Sequence, residues 1–314
     1  MRVPTSTLFK SCYCKYGIAA VNVFCAEQIH GLFRSAQKVH APFIVQLTPV
    51  ARNYAHPVML SGMIEAADRI YPETVYSVHL DHGTPSHCQD AIKSSDYDSV
   101  MIDASHEEFQ TNIEITSGIV RKAHSKGICV EAELGVLSGV EDDKKVDNSR
   151  ALYTDPDEVE TFVNQTKCDS LAIAVGTSHG AYKFSGKGGI QFQILEEIGN
   201  RLPGYPLVLH GASAVPLEEV ERINNAGGTL SAKAKGVDDA SLKRAIELGV
   251  CKINIATDTR LIWARIHREF FKNSPELFDL VIPGTEYMKA YEDFMIRKFE
   301  LLGACEKVEN IKVK

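Results

Sequence analysis

Residues 75–83 read VYSVHLDHG, a short run of β-branched and apolar residues, Val75 to Leu80, that ends in His79-Leu80-Asp81-His82-Gly83. A strand of this kind is buried on both faces and hands polar side chains to whatever lies at its C-terminal end. Seven further runs have the same character: GIAAVNV (17–23), FIVQL (43–47), SVMI (99–102), ICVEAEL (128–134), SLAIAV (170–175), PLVLH (206–210) and CKINI (251–255). Between them lie stretches of helical period such as AEQIHGLFRSAQKV, TNIEITSGIVRKAHSKG and ASLKRAIELG, the last two ending in a glycine suited to a helix C-terminus. Eight βα units with right-handed crossovers predict an α/β fold, a (β/α)8 TIM barrel.

Two segments break the repeat. The polar stretch at 135–154, GVLSGVEDDKKVDNSRALYT, is too long for an ordinary connection and is expected to be a mobile loop at the active site. Beyond about residue 275 the chain is expected to form a C-terminal helical extension, with TEYMKAYEDFMIRKFELLG as an amphipathic helix that covers either its own barrel or a partner subunit. The whole chain, 1–314, is read as one domain.

With 44% apolar and 24% charged residues the composition is globular, and the net charge of −7 speaks against a nucleic-acid partner. An acidic chain can still bind a phosphorylated metabolite, because backbone amides and one or two local cations suffice. The start, Met1-Arg-Val-Pro-Thr, has no signal-peptide pattern and no run of about 18 apolar residues occurs; a cytoplasmic protein without membrane contact is expected. Eight dispersed cysteines form no CxxC pair, and they read as small buried residues.

In a TIM barrel the C-terminal strand ends converge on one mouth. Here they carry Asp81 and His82, then Asp103 with His106 beyond it, Glu131 and Glu133, Thr177-Ser178-His179-Gly180, His210-Gly211-Ala212-Ser213, and Asn254 with Thr257. Three imidazoles from three strand ends, His82, His179 and His210, suit a catalytic zinc: neutral nitrogen donors with a fourth position left open. Each histidine alone would read as a hydrogen-bonded core residue; three at strand ends, each followed by glycine, read as ligands. His79 and His106 are candidates for holding such ligands in place, whereas His30, His40, His56, His87, His124 and His267 fall on helices or loops and are expected to be solvated. Asp81 and Glu133 each have a bland reading as a cap or a solvated charge, which their place beside a metal ligand outweighs.

At these residues the chain resembles the class II fructose-bisphosphate aldolases, including their tagatose-bisphosphate branch, over almost its whole length. HLDHG, SVMIDASH, VEAELG followed by GVEDD, AVGTSHGAYKF, LVLHGAS and KINIATDTR occur in the family's order and spacing. The resemblance implies a zinc ion on His82, His179 and His210, with Glu133 and Asp103 near alternative metal positions and a monovalent cation as a further activator. It implies Asp81 as the acid at the aldehyde oxygen and Glu141 as the carboxylate that moves the proton beside the ketone. It assigns Gly180, Lys183, Gly211, Ser213 and Thr257 to the phosphate of dihydroxyacetone phosphate, Asn254 to its enediolate, and Asn22 and Thr48 to the surrounding pocket. It further implies a sugar-phosphate substrate and a homodimer or dimer-based assembly.

Two departures bear on the substrate. Ala256 stands where fructose-bisphosphate aldolases usually have Asp, as in the tagatose type, and Phe278-Asp279-Leu280-Val281 stands where the family commonly reads F-D-P-R, its Arg reaching a distal phosphate. Arg260 is left to hold a phosphate. The resemblance therefore implies fructose 1,6-bisphosphate as the default substrate and tagatose 1,6-bisphosphate or another ketose 1-phosphate as the alternative. A silent sugar-phosphate sensor is disfavoured by the intact Asp81 and Glu141, and a metal-dependent hydrolase would have no use for Gly180 and Gly211.

Overall fold

The computed structural model describes residues 1–137, 139–141, 144–146, 152–178, 189–231 and 236–311, with backbone only at 139–141 and 144–146. Eight parallel strands close a barrel: β1 (Ile18–Asn22), β2 (Phe43–Leu47), β3 (Tyr76–Gly83), β4 (Ser99–Ile102), β5 (Cys129–Leu134), β8 (Ser170–Ile173), β9 (Leu207–Leu209) and β10 (Val250–Ile255). Each pairs with its neighbour in sequence, and β1 pairs with β10 to complete the ring. All eight expected runs are strands. β3 extends past its apolar part through Asp81 and His82, and β9 is shorter than its run, so that His210 stands just beyond it.

The helices are α1 (Thr5–Cys12), α2 (Ala26–Lys38), α3 (Pro49–Ala55), α4 (Pro57–Ile70), α5 (Pro85–Ser94), α6 (Phe109–His124), α7 (Pro156–Thr166), α8 (Phe192–Arg201), α9 (Leu217–Asn225), α10 (Asp239–Glu247), α11 (Thr257–Asn273) and α12 (Val281–Leu301). Local chemistry starts many of them: Thr48, Thr84, Asp155 and Asp238 accept a backbone N–H at the first turn, and α3, α4, α5 and α7 open on proline. Ile29, Leu32, Phe33 and Ala36 form the buried stripe of α2 at helical spacing. No helix among the described residues is long and apolar enough to cross a membrane.

The segment at 135–154 is not a plain loop. It contains an antiparallel ribbon, β6 (Gly139–Glu141) with β7 (Lys144–Val146), and Val136 bridges Leu152. Three-residue strands this polar have too little pattern to be read from sequence. The C-terminal helix settles on its own chain: α12 buries Tyr287, Tyr291, Phe294, Met295 and Phe299 and packs on α2 and α11. The fit on α2 is tight enough that a Cβ at Gly31 would lie 2.9 Å from the Tyr291 ring.

The lumen is unusual in being polar. Met101, Ala172 and Val208 form a small apolar cluster, and a column of polar side chains runs beside it where TIM barrels commonly stack branched aliphatic ones. Lys252 is fully buried and lies 2.6 Å from Glu131 Oε2 and 3.2 Å from His79 Nε2. His79 Nδ1 contacts Ser99 Oγ at 2.7 Å, and Ser99 Oγ receives Thr5 Oγ1 of α1 at 2.8 Å. Burial, then the nearby Lys252 charge, push the His79 imidazole down to about 3. Burial alone would raise the Glu131 carboxyl, but Lys252 and His210 hold it far below the usual carboxylate range.

Two outcomes follow from this core. Phe299→Ala should cost about 3–5 kcal/mol of stability, seen as a lower urea midpoint, whereas Tyr291→Phe should leave the midpoint unchanged or raise it, because no group among the described residues hydrogen-bonds the buried Tyr291 hydroxyl. The second outcome concerns acid. An unfolded histidine takes up its proton near pH 6.5, while native His79 does so only near 3; between these values the unfolded state holds the extra proton, so stability falls as pH is lowered. The unfolding free energy from urea titrations between pH 6 and 4 should therefore fall less steeply in His79→Asn, by about 1.4 kcal/mol per pH unit.

Candidate active site at the barrel mouth

β3 delivers two consecutive polar residues to the mouth, which a regular strand would send to opposite faces. The register slips between Leu80 and Gly83, and His82 adopts φ +49°, a left-handed conformation rare for a residue with a Cβ. Both Asp81 and His82 thereby reach the site. Asp81 is fully buried and accepts from Asn22 Nδ2 at 2.9 Å and Asn254 Nδ2 at 3.2 Å, while Gln46 Nε2 donates to Asn22 Oδ1 at 2.8 Å. Two amide donors on one carboxylate favour its charged form.

His210 and His82 meet edge to face, with His210 Nδ1 2.9 Å from His82 Nε2. The far nitrogens face carboxylates: His210 Nε2 lies 2.9 Å from Glu131 Oε1, and His82 Nδ1 makes a longer, 3.4 Å contact with Asp103 Oδ2. Burial and the neighbouring His82 lower the His210 pKa against the opposing pull of Glu131. Two ring nitrogens this close hold either a shared proton, as a hydrogen bond, or a metal ion between them. Ligand atoms of Asp81, His82 and His210 lie within 4.8 Å of one another, as do those of His82, Asp103 and Glu133. A further sign of a ligand site is Asn254 Oδ1, a buried acceptor that no donor among the described residues reaches. The imidazole and carboxylate donors, closely grouped, fit a divalent ion of zinc's character.

The loops after β8, β9 and β10 come together beside this cluster. Thr177 Oγ1 donates to the His210 carbonyl at 2.7 Å, and Gly211 has φ +62° with its α-carbon so close to Ser178 that a Cβ would sit 2.6 Å from the Ser178 carbonyl oxygen. Only glycine serves there. Thr257 begins α11, whose free N–H groups point an anion-binding end at the mouth, and Ser213 is buried nearby in the loop after β9. Asp258 accepts the amides of Ala214 and Val215 at 3.1 and 2.9 Å, holding Val215 at φ +48°, and Lys298 of α12 stands 3.7 Å from the same carboxylate. Arg260 stacks over the Phe24 ring at 4.8 Å.

Of the residues singled out from sequence, Asn22, Asp81, His82, Asp103, Glu133, His210 and Asn254 line one polar cluster or its edge. Thr48 is buried after β2, where its hydroxyl caps α3 by accepting the Ala51 amide at 3.1 Å. His179, Gly180 and Lys183 lie outside the described residues, as does the side chain of Glu141, whose backbone belongs to β6. His106 does not hold a ligand: it is 66% exposed and pairs with Glu107 on the surface, because the chain has already left the mouth three residues after Asp103. His40, His87 and His267 are half-buried rather than solvated. Sequence reading overlooked Lys252, Asp258 and Lys298. Lys252 had a signal: a lone charge inside an apolar strand, two residues before Asn254 and so on the same face.

Comparison with known proteins agrees with this picture. Residues 4–307 match the family model described as fructose-bisphosphate aldolase class-II. A fructose-bisphosphate aldolase of Helicobacter pylori strain J99 is 38% identical over 294 residues, 93% of this chain and 95% of that protein, and one from Thermus caldophilus is 40% identical over 292 residues, 92% and 93% of the two chains. The crystal structure of the YdjI aldolase from Escherichia coli K12 superposes with a TM-score of 0.79 at 28% identity, covering 98% of this chain and all of the other. With its barrel, its mouth of histidines and carboxylates, and a match over nearly its full length, the chain belongs to the class II fructose-bisphosphate aldolase family.

Proposed function

We propose that this protein is a zinc-dependent aldolase that reversibly cleaves a ketose 1,6-bisphosphate, with fructose 1,6-bisphosphate as first substrate, to dihydroxyacetone phosphate and glyceraldehyde 3-phosphate. The observation that carries the reading is the approach of His82 Nε2 and His210 Nδ1 to 2.9 Å beside the buried Asp81 carboxylate. His82, His179 and His210 would hold the zinc, Glu133 and Asp103 would offer alternative positions, and a monovalent cation would act as activator. Bound there, zinc supplies Lewis-acid polarisation of the ketone oxygen.

The remaining chemistry belongs to the chain. In cleavage the Asp81 carboxylate, steadied by Asn22 and Asn254, takes the proton of the hydroxyl that becomes the aldehyde oxygen, and Glu141 hands a proton to the carbon beside the ketone. Condensation reverses both transfers, Asp81 then giving its proton to the aldehyde oxygen and Glu141 taking one from carbon. The open acceptor of Asn254 takes a substrate hydroxyl, and Thr48 lies near the developing oxyanion. Gly180, Gly211, Ser213 and Thr257 bind the phosphate through amides and hydroxyls, with Lys183 and Arg260 as counter-charges. No lysine need form a Schiff base, since a bound zinc would supply the electron sink.

Tagatose 1,6-bisphosphate is the second reading. Ala256 gives the first turn of α11 no side-chain cap, and Phe278, Leu280 and Val281 are exposed and uncharged, so the aldehyde half differs from that of the usual fructose enzymes. The protein is proposed to act as one domain over 1–314, in the cytoplasm, as a homodimer whose contact surface includes the exposed Trp263, Phe271 and Phe278.

Retro-aldol turnover of a panel of ketose 1-phosphates and bisphosphates, with triose phosphate trapped enzymatically, tests the reading. Turnover of at least one bisphosphate should vanish with chelator and return with zinc, and Asp81→Ala should lower kcat about 10²- to 10⁴-fold. Failure on every sugar, or full activity after metal removal, would refute it.

A further inference from the structure

An ammonium group has only protons to give. Lys252 Nζ gives one to Glu131 Oε2 at 2.6 Å and another to His79 Nε2 at 3.2 Å, so His79 keeps its own proton on Nδ1, against Ser99 Oγ at 2.7 Å. Glu131 then has only lone pairs to offer, and its Oε1 meets His210 Nε2 at 2.9 Å. The proton of His210 is thereby assigned to Nε2. Its Nδ1 is left as the acceptor that faces Asn254 Nδ2 at 3.1 Å and His82 Nε2 at 2.9 Å. The orientation of Asn254 is itself determined, because its NH2 also serves the Asp81 carboxylate at 3.2 Å, which an amide oxygen could not do.

We propose that Lys252 and Glu131 are positioning residues that select the His210 tautomer, so that Nδ1 and not Nε2 is the nitrogen offered to a divalent cation at the mouth. The inference rests on the zinc reading above. A merely space-filling ion pair would have no need of its two ends being ordered, donor at β10 and acceptor at β5, across the lumen. The order matters because a metal ligand must present a lone pair, and the hydrogen bond on its other nitrogen decides which lone pair that is. His79 completes the arrangement from below: its Nε2 accepts a hydrogen bond from Lys252, and its Nδ1–H donates to Ser99 Oγ, which also accepts from Thr5 of α1.

The decisive variant is Glu131→Gln. Lys252 demands the amide oxygen, so the amide NH2 faces His210 Nε2, which must then accept; the proton moves to Nδ1 and the metal-facing lone pair is lost. Zinc affinity of the full chain, measured by competition with a chromogenic chelator, should fall about 10- to 100-fold. Adding Lys252→Met removes the donor that dictates the amide's direction, lets its oxygen turn to His210 Nε2–H, and should recover most of the lost affinity, although the double variant departs further from the natural lumen. Unchanged affinity in Glu131→Gln, or a double variant no better than the single, overturns the proposal. Should Glu131→Gln fail to fold, the nitrogen spectrum of histidine-labelled, metal-free natural protein decides: His210 protonated at Nε2 supports the inference, and protonation at Nδ1 ends it. Because that spectrum needs no metal, a protein that binds no zinc would sink the zinc reading while leaving the tautomer assignment separately measurable.

Discussion

The lumen of this barrel contains an ion pair shut off from water, Lys252 with Glu131. Lys252 has no exposed surface, and Glu131 across the ring neutralises it at 2.6 Å. Each charge taken from water costs several kcal/mol, which a partner and further hydrogen bonds can offset only when the geometry is held closely. Here the geometry is held by barrel closure itself. β10 and β5 are not neighbours in the sheet, so the pair exists only once all eight strands have found their order. The other oxygen of Glu131 is on His210, which makes the electrostatics of the core and those of the mouth one system.

A lumen filled this way contributes little hydrophobic stabilisation, and the fold compensates on the outside. The large apolar side chains lie between strands and helices and under α12, where Tyr287, Tyr291, Phe294 and Phe299 cover α2. α1 buries Leu8, Phe9 and Cys12, and it also joins the polar column through the Thr5 hydroxyl, which donates to Ser99. The chain thus separates two tasks commonly merged in one core: burial of apolar area is external, and ordering of chemistry-bearing groups is internal.

This division explains what sequence could and could not disclose. The eight strands were legible because a strand buried on both faces, apolar toward its helix, announces itself as a short β-branched run, and the mouth residues were legible because polar groups follow such runs directly. The ribbon of β6 and β7 was not, since its stability comes from backbone pairing between three-residue polar segments. Lys252 was passed over because the strand around it is apolar and its partner is 121 residues away; nothing local distinguishes a buried cation from a tolerated one. His106 was overvalued for the converse reason. Nearness in sequence to Asp103 suggested nearness in space, but the chain turns to the surface at once. The choice of α12 between its own barrel and a neighbour likewise lay beyond its amphipathic pattern, which specifies an apolar stripe but not what the stripe meets.

The mouth is also where the backbone departs from ordinary geometry, and those departures need external support. His82 at φ +49° and Val215 at φ +48° are conformations that cost free energy for residues with a Cβ, the more so for a β-branched valine. His82 is held from two sides, by the strand pairing of Gly83 with Ile102 and by contacts of its ring with Asp103 and His210. Val215 is held because Asp258 takes its amide and that of Ala214, and Asp258 in turn faces Lys298. Lys298 belongs to α12, so the C-terminal helix reaches the strained loop after β9 through a single carboxylate. The tail is therefore part of the site's support, and the alternation of strand and helix that builds the barrel would, without it, leave the phosphate-facing loop without one of its anchors.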